Sequence, residues 1–403
     1  MSTSLLSHAF SITGFHYTGT EYKSGQLVLH IKPGDHPLRC PNCNSTNVIR
    51  RGQKQRRFRA VPIGNKAVFI VLALPRVGCH DCGAVRQIKV SFAAPRLSFT
   101  RAFERYVLDL SKMMTIKDIA QHLNVGWDMI KDIQKRHLLK HYAQPKLKHL
   151  RFLAIDEIAV AKGHRYVTVV MDLESGAVVF VGDGKGSDAL EPFFKRLKRS
   201  RAEVEAIAID MSPAYIQAIK HHLKHTSIIF DHFHVVKLFN DKLSKFRRDL
   251  QRDADKIEKS VIKGTRWLLL KNPENLDDKR DELQRLEAAL KINQPLATVY
   301  YMKEDLRQFW TQPSYETAAS FLHDWISRAT VSGIKMLMAF ANTLGAHRTG
   351  LLAYHDYPIS TGPLEGTNNK IKTMKRQAYG FRDMEFFKLK IMAIHEAKYA
   401  LIG

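Results

Sequence analysis

Residues 151–231 carry the feature that most constrains the fold, which is a regular succession of apolar runs. Three runs typical of β-strands come first, namely FLAIDEIAV, RYVTVVMDL and AVVFVGDG. A helical pattern then begins at Ser187, and a second helix, opened by Pro213, separates the later runs EAIAID and SIIFD. Consecutive strands predict antiparallel neighbours, whereas strands separated by helices predict parallel ones. The segment therefore predicts a mixed α/β sheet with an antiparallel flank.

Two acidic side chains interrupt these apolar runs. Asp156 lies inside the first run and Asp210 ends a later one. A lone buried carboxylate costs several kcal/mol unless a cation or hydrogen bonds compensate it. Two carboxylates near strand ends of one sheet suggest a shared divalent site, and Mg²⁺ or Mn²⁺ prefers such oxygen ligands. Two ions about 4 Å apart can promote displacement at a phosphodiester.

The order of strands and helices is that of a ribonuclease H-like fold.

This chemistry needs a third carboxylate, and Glu365 is the candidate. It lies in the segment GPLEGTNNKIK, where the Gly-Pro pair predicts the start of a helix. Glu157 and Asp231 are rivals. Adjacent positions of a strand face opposite sides of a sheet, so Glu157 is expected to point away from Asp156. The alternative for each acid taken alone is a helix cap, a turn or an ion pair.

The chain has four cysteines, which form two Cys-x-x-Cys pairs. Four thiolates with this spacing are able to close a tetrahedral shell around zinc, and disulfides do not persist in a reducing compartment. A strand-like run between the pairs, AVFIVLAL, is expected to bring the two turns together. The alternatives are four free thiols or a redox pair. We predict one structural zinc ion with four ligands, which are Cys40, Cys43, Cys79 and Cys82.

The charge of the chain indicates a polyanionic partner. The net charge is +24, and residues 1–150 carry 24 Lys and Arg against 8 Asp and Glu, a net charge of +16. Such a surface attracts nucleic acid through counterion release. No apolar run approaches the roughly 20 residues of a membrane span, and the N-terminus lacks a secretory pattern. We expect a cytoplasmic, nucleoid-associated protein without a membrane partner.

Residues 98–143 have the pattern of a helix-turn-helix bundle. Thr115 is a plausible N-cap, and a short Asn-Val-Gly break precedes the third helix, WDMIKDIQKRHLLKHY. This third helix would enter a DNA groove, with Trp127 packed inward. The alternative is an ordinary three-helix bundle.

Three basic stretches predict DNA contacts: the run between the cysteine pairs, the outer face of the third helix and the helix that follows Glu365. A histidine after the run SIIFD, His234, is a possible neighbour of the active site, although a capping or core histidine is the alternative. The predicted DNA-contacting residues are Arg50, Arg51, Lys54, Arg56, Arg57, Arg59, Lys131, Lys135, Arg136, Lys370, Lys372, Lys375 and Arg376.

Residues 240–354 have a helical pattern with almost no strand signal, so they interrupt the predicted sheet domain. Their role is either to cover DNA or a partner protomer, or to fill structure. The predicted domains are a zinc-binding domain (1–95), a helix-turn-helix domain (96–145), a first catalytic part (150–239), a helical insertion (240–355) and a last catalytic part with the Glu365 helix (356–403).

Taken together, these motifs resemble bacterial insertion-sequence transposases of the DDE type, specifically the ISL-three (ISL3) family. The resemblance is carried by the two cysteine pairs and by four segments, which are FLAIDEIAVAKGHRYVTVVMDLESG, AIAIDMSPAY, FDHFHVVKLFN and GPLEGTNNKIKTMKRQAYGFRD. It implies a zinc-binding region, a helix-turn-helix reader of terminal inverted repeats and a catalytic domain with a helical insertion. The catalytic positions of the family fall on Asp156, Asp210 and Glu365.

The resemblance implies an enzyme that hydrolyses the phosphodiester at the ends of its element and joins the freed 3′ hydroxyl to target DNA. Two Mg²⁺ (or Mn²⁺) ions per active site and one structural zinc ion would be its cofactors. Its partner would be double-stranded DNA, and pairing two element ends calls for a homodimer or a larger homo-oligomer. The alternatives are a non-catalytic zinc and helix-turn-helix DNA-binding protein derived from a transposase, and a ribonuclease H-like nuclease or junction resolvase without strand transfer.

Overall fold

The computed structural model of the protein describes residues 3–161, 163 and 165–395. They divide into two compact units. The N-terminal unit contains the described residues of 1–143 together with 377–389, and the central unit contains those of 144–376 together with 390–395. The last predicted domain extends to residue 403, and its residues 396–403 lie outside the described part. Across the described ranges, we find no helix with the length and apolarity that crossing a bilayer requires.

The N-terminal unit starts with one helix and a five-stranded sheet, and three further helices follow. Its elements are α1 (Thr3–Phe10), β1 (Phe15–Lys23), β2 (Gln26–Pro33), β3 (Val48–Ile63), β4 (Lys66–Cys79), β5 (Val85–Gln87), α2 (Arg101–Leu110), α3 (Ile116–Leu123) and α4 (Trp127–Tyr142).

The sheet of the N-terminal unit has the order β1-β2-β4-β3, and β5 pairs with β4. The pairs β1/β2 and β3/β4 are antiparallel, whereas β2 and β4 run parallel. The apolar run between the cysteine pairs forms the middle of β4, as predicted, and it contributes the buried Ile70 and Leu72 to a core with Leu29 and Phe58. The basic run of the sequence forms most of β3. It therefore lies on an edge strand, where most of its side chains reach solvent.

The three helices α2, α3 and α4 share a separate core around Phe103, Ile119 and Ile130. Thr115 is the N-cap of α3, as predicted, because its hydroxyl accepts the backbone N–H of Asp118 and the Asp118 side chain accepts the N–H of Thr115. The turn between α3 and α4 follows from the left-handed backbone of the C-cap residue Asn124. The predicted packing of Trp127 is wrong, since this side chain is 56% exposed at the start of α4.

The central unit contains a five-stranded mixed sheet. Its first elements are β6 (Phe152–Ala161), β7 (Arg165–Asp172), β8 (Val178–Asp183), α5 (Glu191–Ser200), β9 (Ala206–Ile209), α6 (Pro213–His222) and β10 (Ser227–Phe230). The sheet order is β10-β9-β6-β7-β8. The strands β10, β9 and β6 are parallel, whereas β6, β7 and β8 form antiparallel pairs. The mixed sheet and its antiparallel flank are those predicted from the sequence.

After β10 the described chain is helical. The helices are α7 (His232–Asp253), α8 (Lys256–Ile262), α9 (Arg266–Leu270), α10 (Glu282–Ile292), α11 (Gln294–Arg307), α12 (Tyr315–Val331), α13 (Lys335–Ala346), α14 (Arg348–Leu352), α15 (Gly362–Gln377) and α16 (Met384–Met392). One hydrophobic core joins this helical block to the sheet, since Ile155 and Ile207 of the sheet belong to the same cluster as Phe239, Trp325 and Phe340. The helical block therefore helps to hold the sheet that carries Asp156 and Asp210.

Candidate zinc centre and active site

The four cysteines meet at one end of the β3–β4 hairpin. The antiparallel pairing sets Val48 opposite Cys79, so the turn before β3 and the turn after β4 lie side by side. The Sγ atoms of Cys40 and Cys82 are 3.6 Å apart, and those of Cys43 and Cys79 are 3.5 Å apart. All four Sγ atoms lie within 4.8 Å of one another. A tetrahedron with zinc–sulfur distances near 2.3 Å has edges of about 3.8 Å, so the cluster fits one zinc ion.

The backbone of each cysteine turn is held in place by hydrogen bonds. In the first turn the N–H of Cys40 donates to the carbonyl of Ser45, and in the second the N–H of Gly83 donates to the carbonyl of Cys79. The two turns are also joined, because the Asn47 amide donates to an Asp81 carboxylate oxygen over 2.7 Å. These hydrogen bonds add to the metal in holding the two cysteine turns side by side.

Asp156 lies within β6, and Asp210 directly follows β9, the parallel neighbour of β6. Ala154 of β6 is paired with Ala208 of β9. Asp156 and Asp210 each come two residues later, so their side chains share one face of the sheet. Both carboxylates are half-buried. The register of the two strands thus directs both carboxylates to the same face.

The Asp156 carboxylate has hydrogen bonds on both oxygens. Oδ1 accepts the backbone N–H of Glu157 over 2.8 Å, and Oδ2 accepts the Nδ2 group of Asn368 over 2.7 Å. Burial raises the pKa of Asp156, and the negative charge of Asp210 contributes to the rise. The site therefore holds closely spaced negative charge that a cation would relieve.

Glu157 follows Asp156 in β6, and strand alternation directs its side chain to the other face of the sheet. It is paired with Thr168 across the β6–β7 ladder, and the hydroxyl of Thr168 lies 3.0 Å from that of Tyr215 on α6. Burial raises the pKa of Glu157 as well. The negative charges of Asp210 and Asp156 add to this rise of the pKa, so Glu157 interacts electrostatically with both aspartates.

Glu365 lies in the first turn of α15 and its side chain is exposed. Its helix reaches Asp156 through Asn368, which lies three positions further on, on an adjacent part of the helix surface. The three carboxylates do not form a single cluster with all ligand oxygens within 4.8 Å of one another. Among the described residues, only the cysteine cluster has three or more potential ligand atoms within 4.8 Å of one another.

A buried carboxylate that the sequence suggested only as a rival, Asp231, fixes the start of the Glu365 segment. Asp231 is 2% exposed at the end of β10. One oxygen accepts the backbone N–H of Thr361 over 3.2 Å, and the other lies 3.1 Å from Nδ1 of His234. Burial is the largest single influence and would raise the pKa of Asp231, but the His234 hydrogen bond, the charge of His232 and the Thr361 N–H together lower it. The hydrogen bond with Asp231 raises the pKa of His234, and the charges of Asp156 and Asp210 add to the rise.

Three family models match the chain. A model of the zinc finger of transposases IS204/IS1001/IS1096/IS1165 matches residues 36–82. A model of the helix-turn-helix domain of transposase family ISL3 matches residues 88–138, and an ISL3 DDE model described as a transposase matches residues 153–391. The chain belongs to the ISL3 family of transposases. It is accordingly a DNA-cleaving and strand-transferring enzyme with a zinc ribbon and a helix-turn-helix DNA-binding domain.

Relatives of the transposase agree with this assignment over most of their length. The transposase for insertion sequence element IS1001 of Bordetella parapertussis is 33% identical over 371 residues, which cover 91% of this chain and 91% of that protein. The transposase for insertion sequence element IS1557 of Mycobacterium tuberculosis is 27% identical over 384 residues, which cover 89% of this chain and 86% of that protein. Among solved structures, the Drosophila P element transposase strand transfer complex matches with a TM-score of 0.35 and 11% identity over 66% of this chain and 81% of that chain, too low a similarity to support a conclusion.

The basic strand β3 divides into an exposed and an anchored half. Arg50, Arg51 and Lys54 are exposed. Arg56 donates to the Leu97 carbonyl, and Arg57 lies over the Phe69 ring and donates to Gln26. Arg59 contradicts its predicted DNA contact, because it is 5% exposed and donates to the Leu123 carbonyl at the end of α3. A guanidinium in that position joins the zinc-bearing sheet to the helices of the transposase.

The cations predicted on the recognition helix α4 have acidic partners. Nζ of Lys131 and Nζ of Lys135 lie 3.0 Å and 3.1 Å from the Asp383 carboxylate of the same unit, and Arg136 pairs with Glu104 over 2.7 Å. Nothing in the sequence around α4 signals the first two pairs. A DNA contact by these lysines competes with an existing ion pair.

The predicted basic face of α15 is only partly continuous. Lys372 and Arg376 are exposed and lie four residues apart, so they share one side of the helix with Glu365. Lys370 is exposed on another side, and Lys375 donates to the Ala159 carbonyl of β6 over 3.2 Å. A phosphate backbone that passes Glu365 would therefore follow Lys372 and Arg376.

Proposed function

We propose that Asp156, Asp210 and Glu365 are the DDE carboxylates of this transposase and that they bind two Mg²⁺ (or Mn²⁺) ions. The proposal rests on the meeting of three segments that are distant in the sequence. Parallel strands set Asp156 beside Asp210, and the helix that carries Glu365 contacts Asp156 through Asn368. Glu365 lies in the first turn of the same helix, three positions before Asn368.

The residues present fit such ions. Carboxylate oxygens are the ligands that Mg²⁺ prefers, and the raised pKa of Asp156 reflects charge that a cation would stabilise. When bound, the ions would activate the attacking oxygen and stabilise the leaving oxygen. The protein itself fixes the Asp156 carboxylate through Asn368 and Glu157, and holds the start of α15 through Asp231. His234, with Nδ1 held by Asp231, is proposed as a neighbour of the scissile phosphate.

We also propose a ribonuclease H-like fold for the catalytic part, interrupted by a helical insertion. The mixed sheet and the helical block support this interpretation. The proposed domains keep the sequence-based bounds, which are 1–95, 96–145, 150–239, 240–355 and 356–403.

The DNA that this enzyme binds is proposed to be the terminal inverted repeats of its element, and then target DNA. The start of α4 would enter the major groove, and the exposed cations of β3 would follow the phosphates. Pairing two ends calls for a homodimer or a larger homo-oligomer. Light scattering on end DNA checks this, and a strict monomer there would contradict it.

The proposed triad is tested by Mg²⁺-dependent cleavage and joining on DNA that carries the terminal repeats of the source element. Wild type is compared with Asp156→Asn and Glu365→Gln, all loaded with zinc. We expect cutting and joining by wild type and a loss of at least about 10³-fold in both variants. Specific binding without cutting by wild type would favour the non-catalytic alternative, and full activity of Glu365→Gln would remove that residue from the triad.

A further inference from the structure

The buried side of α15 carries one polar side-chain amide, although packing at this position does not require a polar group. Leu364, Ile371 and Met374 form the apolar part of this side, and Asn368 lies among them with 4% exposure. A buried amide is costly unless its donor and acceptor are both satisfied. An asparagine at this position therefore needs a reason other than packing.

One half of the amide has a clear role. Its Nδ2 group donates to Oδ2 of Asp156 over 2.7 Å, across 212 positions of sequence. A carboxylate accepts hydrogen bonds, so the nitrogen and not the oxygen of the amide must face it. This requirement fixes the orientation of the amide group. Its other atom, Oδ1, lies near the same carboxylate but is not directed at it.

The other half of the amide has no partner in the described part of the chain. Oδ1 of Asn368 is buried, and no described donor reaches it. A buried oxygen in that condition raises the free energy of the folded protein, so native structures retain few of them. The neighbouring acids cannot satisfy it, because ionised carboxylates only accept hydrogen bonds.

A divalent cation satisfies both the amide oxygen and the carboxylate next to it. Protein sites for hard cations combine carboxylates with Asn or Gln carbonyl oxygens. A neutral ligand adds no negative charge to the pair Asp156 and Asp210, which already repel each other. Glu365 is exposed on α15, whereas Asn368 of the same helix is the residue that contacts Asp156.

We propose that Asn368 is a member of the divalent-metal site, in which Nδ2 orients Asp156 and Oδ1 supplies a neutral oxygen ligand to the cation. This inference rests on the proposed DDE site and adds a residue to it. It predicts that cation affinity depends on the amide oxygen before any DNA is bound.

The test is Mn²⁺ binding to the zinc-loaded full-length protein, read from the electron paramagnetic resonance signal of free Mn²⁺. We expect Asn368→Ala to weaken binding at the site by about 10-fold or more, as removal of supporting groups does at other metal sites. Asn368→Asp keeps an oxygen at this position and should recover most of the affinity. Asn369→Ala changes an exposed neighbour on the same helix and should bind as wild type does.

Three results separate the possibilities. Unchanged Mn²⁺ binding by Asn368→Ala would overturn the proposal. Equal losses in Asn368→Ala and Asn368→Asp would overturn the ligand role of Oδ1, because only the hydrogen bond to Asp156 is missing from both. If wild type binds no more Mn²⁺ than Asp156→Asn does, the proposed DDE metal site itself fails. Thermal unfolding without Mn²⁺ verifies that each variant is folded.

Discussion

The N-terminal unit and the central unit arrange charge in opposite ways. In the N-terminal unit, cations lie on an edge strand and on a helix surface, and several of them are paired with acids or stacked on rings. In the central unit, acids are drawn together on one face of a buried sheet, where burial raises the pKa of Asp156. The first arrangement suits a polyanion that arrives from solution, and the second suits a small cation that is held inside. On the proposed assignment of these sites, recognition and chemistry belong to different units of this transposase.

The largest expected effect concerns the zinc centre. Structural zinc contributes about 10–16 kcal/mol to the folding of zinc-finger peptides. We expect Cys79→Ser to remove zinc from the chain, to unfold the cysteine turns and to abolish specific binding to end DNA. Zinc content by atomic emission and binding by fluorescence anisotropy check this. Retention of one zinc and of specific binding would show that the N-terminal unit does not depend on the metal.

Next in size is the loss of the buried carboxylate that anchors the Glu365 segment. Asp231→Ala leaves the Thr361 N–H and His234 without their partner, and breaking a buried pair of this kind costs about 3–5 kcal/mol. A displaced α15 should also lower the cutting rate by roughly 100-fold. Denaturant unfolding and single-turnover cutting measure the two effects. Asp241→Ala removes an exposed acid of α7 and should change neither.

A smaller effect is expected from His234, which makes the free energy of unfolding depend on pH. Its pKa is raised in the folded protein, chiefly by Asp231, above the ordinary value near 6.5. The protonated ring therefore stabilises the fold below about pH 6.5, and this contribution of about 1–2 kcal/mol is lost as the pH rises through the raised pKa. Unfolding of wild type in magnesium-free buffer should show this loss, whereas His234→Gln should not. The exposed His225→Gln serves as the control, and an identical pH profile for His234→Gln would contradict the assignment.

The smallest effect should come from the acid that pairs with the recognition helix. Asp383→Asn frees Lys131 and removes one of the two acids paired with Lys135, so we expect binding to DNA about 3- to 10-fold tighter and a salt dependence steeper by about one unit of slope for each lysine that meets a phosphate. Glu385→Gln, which changes a more exposed acid paired with Lys135, should have less effect. Affinities measured between 50 and 200 mM salt check both variants. No change in slope would mean that these lysines do not meet the DNA backbone.

How far the sequence predicts these two regions depends on the range of the interactions. Local signals succeeded: the spacing of the cysteines predicts their cluster, and Thr115 predicts the start of α3. Contacts between distant segments could not be predicted. Lys135 and Asp383 are 248 positions apart, and nothing in a basic helix pattern signals its acidic partner.

The candidate active site shows the same limit. Apolar runs around Asp156 and Asp210 predict buried carboxylates because a strand interior tolerates acids only for a reason. For Arg59 the predicted DNA contact was wrong. A basic run does not show which of its side chains is turned inward to donate to a carbonyl. The exposed position of Glu365 on α15 depends on packing that no local pattern encodes.

The separation of recognition from chemistry is tested most directly by measuring binding and cutting of the same end DNA, in Mg²⁺, for wild type and Asp210→Asn. We predict binding within about twofold of wild type and a loss of cutting of at least about 10³-fold, because the zinc ribbon and helix-turn-helix domain remain intact while the paired carboxylate is removed. Cutting at the wild-type rate would contradict the proposed site, and a matching loss of binding would contradict the separation of the two units.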